Sequence, residues 1–539
     1  MRTFTLGTLD VFHPPSCRRE WDVIGCQAGG RAYAGNFAAM TSAWEDLVPR
    51  LQAITDLVSA VKLFEWDQAS IMPAAGGPAR ARASSTLEGL IHERLTDPRI
   101  GDLLDRLEDE KDGLDDRQRA SVRVLRRDYE KATKVPEELV KALAVSRGGA
   151  YQAWAQARPA NDFSILQPHL EELIDLKKQE ADALGWDGER YDALLDQFEP
   201  GMKTAEVQVM FDDLVDGLKP IVDAVLDAVD DPPSFLGRSY DGGRQMEFCG
   251  WLVKQLGFDL DRGRLDTSPH PFTIAIGVGD VRQTTRAEEN ALLTSIYAAI
   301  HETGHALYEQ GIPDETRDLP IGTCPSLGMH ESQSRMWENQ VGRSRAYTDF
   351  LLPHLKERFP EELGMVDLDE FYRGVNHPQR TLIRVTADEL TYNLHVALRF
   401  DLEVAMFRDE LDVADLPDAW DAAMEKYIGI RPRDHADGVL QDMHWSISAL
   451  GYFPTYTLGT IYSASFFAKA QEDLGDLTDE LRAGETTRLL EWLREKVHVH
   501  GYIYDAKDLA ERVVGEPVSA TALLDYLRIK YGELYSVSI

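Results

Sequence analysis

Cysteine is scarce: Cys17, Cys26, Cys249 and Cys324 are the only four in 539 residues. They show neither zinc-finger spacing nor the pattern of a disulfide framework. A packed core must therefore hold the fold, and a reducing cytoplasm is the expected compartment. Long apolar runs are also missing. No stretch nears the 18 or so residues of a membrane-spanning helix, and no apolar signal region opens the chain. Positive charge is short as well: 57 Lys and Arg face 92 Asp and Glu, a net charge of −35. Such a field repels phosphates and argues against nucleic acid as a partner. Many of the acids are Asp and most of the bases are Arg, a pattern suited to solubility in concentrated salt and read as halophilic. Internal repeats and low-complexity linkers are absent, while a hydrophobic content of 43% is ample for a large core.

Residues 1–39 differ from the rest of the chain. They are close to neutral, hold half of the cysteines and show no helical period. The acidic, helical pattern begins directly after Met40, so Met40 is the expected natural start and 1–39 an upstream extension. From there the chain reads as helix after helix. Pro49 is placed in a first helical turn, and Leu51, Ile54, Val58 and Val61 recur at helical steps. A stop is expected before Pro73. Phe272–Val278 is the best candidate strand. The expectation is a mainly α fold, one large helical unit over 40–539 with a minor β element.

Residues 290–310 read as a strong helix ending at Gly311 and Pro313. Within it lies His301-Glu302-Thr303-Gly304-His305. Two imidazoles four residues apart share a helix face and can chelate one ion. Neutral imidazole suits Zn2+, and Glu302 is placed to take a proton from the attacking water. A third ligand is required. Glu331, on the next helix after a loop, completes a His2Glu set, with His330 as its rival. This points to metal-assisted hydrolysis.

Beyond that motif, His270-Pro271-Phe272, Asp280-Val281-Arg282-Gln283-Thr284, His330-Glu331-Ser332, Ile383-Arg384-Val385-Thr386-Ala387-Asp388 and Gly438-Val439-Leu440-Gln441-Asp442-Met443-His444-Trp445 occur in order along the chain. Glu65-Trp66-Asp67-Gln68, 191–202 and 451–459 add further matches. Together these segments resemble the zinc-dependent carboxypeptidase Taq family, of the thermostable carboxypeptidase 1 type, from about Met40 to the C-terminus. The resemblance implies a helical fold with a deep active-site cleft, similar to neurolysin and angiotensin-converting enzyme. It implies a homodimer that trims single residues from the free C-termini of peptides with broad specificity. It also implies one Zn2+ per subunit, for which Co2+ can substitute, on His301, His305 and Glu331, with Glu302 as general base. An oligoendopeptidase or dipeptidase on the same scaffold, or an inactive peptide-binding protein, are the alternative readings.

Recognition of an α-carboxylate calls for arginine. Arg384 and Arg282 are the candidates, against pairing with structural acids such as Asp388 or Asp280. Gln441 either binds substrate or caps a loop. Asp388 is read as orienting a ligand histidine or as part of a buried ion pair. His444, Tyr452 and Tyr456 are candidate oxyanion donors, against plain aromatic packing. His270 has no derivable role, His498 and His500 are read as structural, and Cys324 as a small buried residue.

Overall fold

The computed structural model describes residues 42–539; the segment 1–39, Met40, Cys17 and Cys26 lie outside the described residues. The first helix, Ala43–Ser70, opens with a capping box. Ser42 Oγ accepts the Glu45 N–H (3.2 Å) and the Glu45 carboxylate accepts that of Ser42 (3.0 Å), so two end donors are satisfied reciprocally. Leu47, Leu51, Ile54, Val58 and Val61 form its buried stripe. Pro49 is not in the first turn: the box starts the helix earlier and leaves the proline inside it, at the cost of one backbone hydrogen bond. The helix ends at Ser70, before Pro73 as expected.

Helices then succeed one another to Thr521–Tyr535, and the fold is mainly α. The minor β element expected is a small sheet that includes the best candidate strand. β1 (Gly263–Thr267), β2 (Thr273–Gly277) and β3 (Asp280–Thr285) form a sheet of order β1-β3-β2. β1 runs parallel to β3, with Gly263 opposite Val281. β2 is antiparallel to it, with Thr273 opposite Gln283. The sheet flanks the helix Leu292–Gly311, called here the motif helix. Hydrogen bonds tie them: Thr303 Oγ1 donates to Gln283 Oε1 (3.0 Å), Thr285 Oγ1 to the Ser295 carbonyl (3.0 Å) and Thr273 Oγ1 to the carbonyl (2.9 Å) and carboxylate (2.7 Å) of Glu302. These fix the motif helix in rotation, so that β2 runs beside the catalytic turn.

Among the described residues apolar burial falls into one large cluster, a smaller one, and a third in which Ala120 and Val124 pack with Ile321 and Tyr502. The large cluster runs from Ala153 to Tyr531 and includes the inner face of the motif helix. The smaller is built from the first helices: Leu47, Leu51 and Ile54 pack with Ile100, Leu104, Leu107 and Leu125. Polar ties join the two. Arg127 and Lys131 both pair with Asp196, and Lys62 Nζ donates to the Ala275 carbonyl of β2 (3.0 Å).

Candidate metal centre and active site

The motif helix is buried on nearly every face, and its neighbours come very close. A Cβ on Gly304 would stand 2.7 Å from the Gln333 carbonyl oxygen. Only glycine lets the helix Leu327–Arg335, called here the ligand helix, lie across the motif. Gly459 does the same from the far side: a Cβ there would meet the Glu331 Cβ at 2.6 Å. The helix Pro454–Leu474 thereby presses Glu331 toward the two histidines.

The result is a compact ligand set. His301, His305 and Glu331 offer ligand atoms all within 4.8 Å of one another. Glu331 Oε2 lies 3.6 Å from His301 Nε2 and 3.4 Å from His305 Nε2. Burial pushes His305 down to about 3, so it is a neutral imidazole at ordinary pH. Burial also disfavours charge on His301, but Glu331 and Glu338 outweigh it and raise that ring's pKa. Glu331 itself is held well below the usual carboxylate range, burial being outweighed by Arg335 and His301. Two imidazole nitrogens and one carboxylate oxygen converging on one point fit a divalent ion. His301 Nδ1 is 2.9 Å from Glu338 Oε2, the support a metal-bound imidazole ordinarily has. His305 Nδ1 has no hydrogen-bond partner and its ring stacks on His330 (4.4 Å). The rival ligand His330 faces away, to Glu309 Oε1 at 3.0 Å.

Glu302, buried, accepts a hydrogen bond from Thr273 Oγ1 of β2 (2.7 Å). Burial raises its carboxyl above the ordinary value, with His301 and Thr273 pulling it back, which suits a proton carrier. Thr273, Glu338 and Arg335 escape the reading of the sequence. A signal for Glu338 exists: it follows Glu331 by seven residues, two turns along the same face. That face is carried onward by π-helical turns at Met336–Gly342, a form that recurs at functional sites.

A second polar cluster holds most of the other candidates. Arg384 donates from Nη2 to Asp442 Oδ1 (2.9 Å) and from Nη1 to Tyr392 Oη (2.9 Å). Its partner is thus Asp442, not Asp388. Arg399 also pairs with Asp442 (2.6 Å). Gln441 Oε1 accepts from the Arg384 backbone N–H and from Arg399 Nη2, each at 2.9 Å, while its Nε2 donates to the Leu382 and Asp437 carbonyls. Every polar atom of Gln441 is engaged within the chain. His444 is buried to a pKa of about 3 and packs on Phe453 (4.6 Å) and Tyr452 (5.4 Å). Tyr456 lies edge-on to Tyr452 (5.3 Å), with Arg384 over its ring (5.1 Å).

Six residues fall elsewhere. Arg282, on β3, is held by Asp280 through two bonds (2.8 and 2.7 Å) and lies over Trp66 (4.2 Å). Asp388 neither orients a histidine nor joins an ion pair: it caps a turn, accepting from the N–H groups of Gln379, Leu390 and Thr391. Its loop position decides this, since converging backbone donors satisfy a carboxylate without a cation. His498 is buried against Gln333 (2.9 Å), His500 packs on Tyr504 (5.4 Å), His270 is exposed and Cys324 is half-buried.

A paired-histidine helix with an adjacent glutamate, and a carboxylate from the next helix that could complete the ligand set, fit a metal-dependent hydrolase. The profile of one family, described as carboxypeptidase Taq (M32) metallopeptidase, matches residues 46–531. The chain is 43% identical over 507 residues to thermostable carboxypeptidase 1 of Thermus thermophilus, covering 92% of this chain and 99% of that one. It is 36% identical over 486 residues to carboxypeptidase 1 of Bacillus subtilis, covering 90% and 97%. Among solved structures, the M32 carboxypeptidase of Deinococcus radiodurans superposes with a TM-score of 0.90 at 42% identity, covering 92% of this chain and all of that one. The chain belongs to the carboxypeptidase Taq (M32) family and is a metallocarboxypeptidase, a hydrolase of peptides that carries a divalent metal. No described helix is long and apolar enough to cross a membrane.

Proposed function

We propose that this enzyme is a zinc carboxypeptidase of broad specificity that releases single residues from peptide C-termini, using His301, His305 and Glu331 as ligands and Glu302 as general base. Bound there, the ion supplies Lewis acidity toward water and the scissile carbonyl. Glu302, with Thr273 donating to its Oε2, takes the proton of the attacking water and passes it to the leaving amine. His444, Tyr452 and Tyr456 stand together as donors for the developing oxyanion, His444 first among them. Arg384 receives the substrate carboxylate. Arg282, paired with Asp280 on β3 and away from the Arg384–Tyr456 cluster, is the lesser candidate, and Gln441 acts by holding Arg384 and Arg399 in place. The observation that carries this reading is a link between the two clusters: Arg335, bonded to Glu331, lies 4.5 Å from the Tyr392 ring, and the Tyr392 hydroxyl accepts from Arg384.

Residues 40–539 form the catalytic unit in this reading. The charge of −35 and the scarcity of cysteine favour a salt-adapted cytoplasmic enzyme, and the family resemblance a homodimer. The deciding experiment tracks one peptide with a free and one with an amidated C-terminus by timed mass spectrometry. A ladder of single C-terminal losses is expected from the free peptide alone. It should stop with a chelator and return with Zn2+. Equal turnover of the amidated peptide would overturn exo-cleavage.

A further inference from the structure

Glu331 has two oxygens, and the chain treats them differently. Oε2 faces both histidine Nε2 atoms, at 3.6 and 3.4 Å. Oε1 accepts from Arg335 Nε at 2.7 Å. Arg335 stands four residues after Glu331 on the same helix, where an i,i+4 pair meets naturally. Its Nη1 reaches Glu338 Oε2 (3.2 Å), the same oxygen that holds His301 Nδ1 (2.9 Å). The guanidinium therefore bridges the carboxylate that ligates and the carboxylate that orients a ligand. Tyr392, under its plane at 4.5 Å, keeps it from swinging away. Arg335 and Glu338 are mostly buried, with side chains 15% and 12% exposed, so water does not compete for these bonds.

A carboxylate left to itself can give a metal one oxygen or two. Two would raise the coordination above the four that three single donors and a water give. A charge-assisted bond to Oε1 removes that oxygen from the competition. We infer that Arg335 is a positioning residue that restricts Glu331 to a single donor oxygen, Oε2, and so keeps the ion four-coordinate with water as the fourth ligand. This rests on His301, His305 and Glu331 being the ligands. Lysine, a point charge without the planar fork, cannot hold both carboxylates in the same geometry.

The test uses the full-length protein loaded with Co2+, whose visible absorption is strong when four-coordinate and weak at higher coordination. Wild type is expected to show the strong bands. Arg335→Gln and Arg335→Lys should show weaker bands, with kcat lowered by about 10- to 100-fold, KM little changed and Co2+ still bound against a competing chelator. Wild-type bands in both variants would overturn the inference, and so would loss of the metal from both, since Arg335 would then set affinity and not coordination. If Arg335→Gln does not fold, Arg335→Lys decides. His305→Ala and Glu331→Gln serve as controls: if they keep Co2+ with the wild-type spectrum, the ligand assignment itself fails, a result separable from failure of the role of Arg335.

Discussion

On one side of the site Glu331 and Glu338 pair with Arg335 and Arg343, beside Glu302 and the two histidines; on the other Arg384 and Arg399 share Asp442. The first side is richer in carboxylates than in guanidiniums. Two bases against one acid leave the second with a positive surplus. Both clusters are buried, where a leftover charge is expensive unless a ligand completes it. On the proposed reading each side receives the charge it lacks: a cation at the histidines, a carboxylate at Arg384. The local surplus, and not the net charge, would then face the substrate.

Substitutions in either cluster can upset this division of charge. The largest effect is expected for Glu302→Gln: kcat should fall by about 10²–10⁴-fold, while metal content, measured by a chromogenic chelator, stays complete. Loss of metal together with activity would show Glu302 to be a ligand and not a base. Next comes Arg384→Met. It should lower kcat/KM for peptides with a free C-terminus by about 100-fold, the worth of a bond to a charged group, and leave any slow turnover of amidated peptides alone. An equal fall for both would place the carboxylate elsewhere, with Arg282 the first to try.

A smaller effect probes the packing behind the metal cluster. In Gly459→Ala the new methyl meets Glu331, so a loss of about 1–3 kcal/mol is expected in denaturant melts, together with weaker metal binding. A destabilised protein with unchanged metal affinity would show that the contact serves the fold alone. The smallest effect lies outside both clusters. Burial raises the carboxyl of Glu65, on the first helix, to about 7, Lys62 pulling it back, and its Oε1 has no partner. A raised pKa means stability that is full below the ordinary carboxylate value and is lost as pH climbs through 7. Glu65→Gln should thus be nearly neutral at pH ~5 and stabilise by about 1 kcal/mol at pH ~8, after allowance for partial exposure. Urea melts at the two pH values check this, and an equal shift at both would refute it.

The parts legible in the sequence were those with a helical period. His301, Glu302 and His305 announce themselves by spacing, Glu331 by its place on the following helix, and β2 by its apolar run. Pro49 misled because a capping box three residues wide outranks a proline's preference for the first turn. β1 and β3 were missed because Arg264, Asp266, Asp280 and Arg282 give them no apolar alternation; they are half-covered strands whose charges pair along the surface. The partner of Arg384 depended on which loops meet, 58 residues apart, and no local pattern carries that; Asp388 instead caps its own turn at Leu390 and Thr391. Thr273 reaches Glu302 across 29 residues of chain, a contact made only by the pairing of sheet and helix.

The separate apolar cluster of the first helices has a consequence for amide exchange. Its Leu51, Ile54 and Leu104 lie outside the large cluster that buries the motif helix. The helices Ala43–Ser70 and Pro98–Asp109, which build most of the smaller cluster, can then open as a cooperative unit of their own, at a free energy below that of global unfolding. Their amides should take up deuterium first and together. Those of the motif helix should wait until the whole molecule unfolds, so the metal ligands would outlast the helices packed beside them.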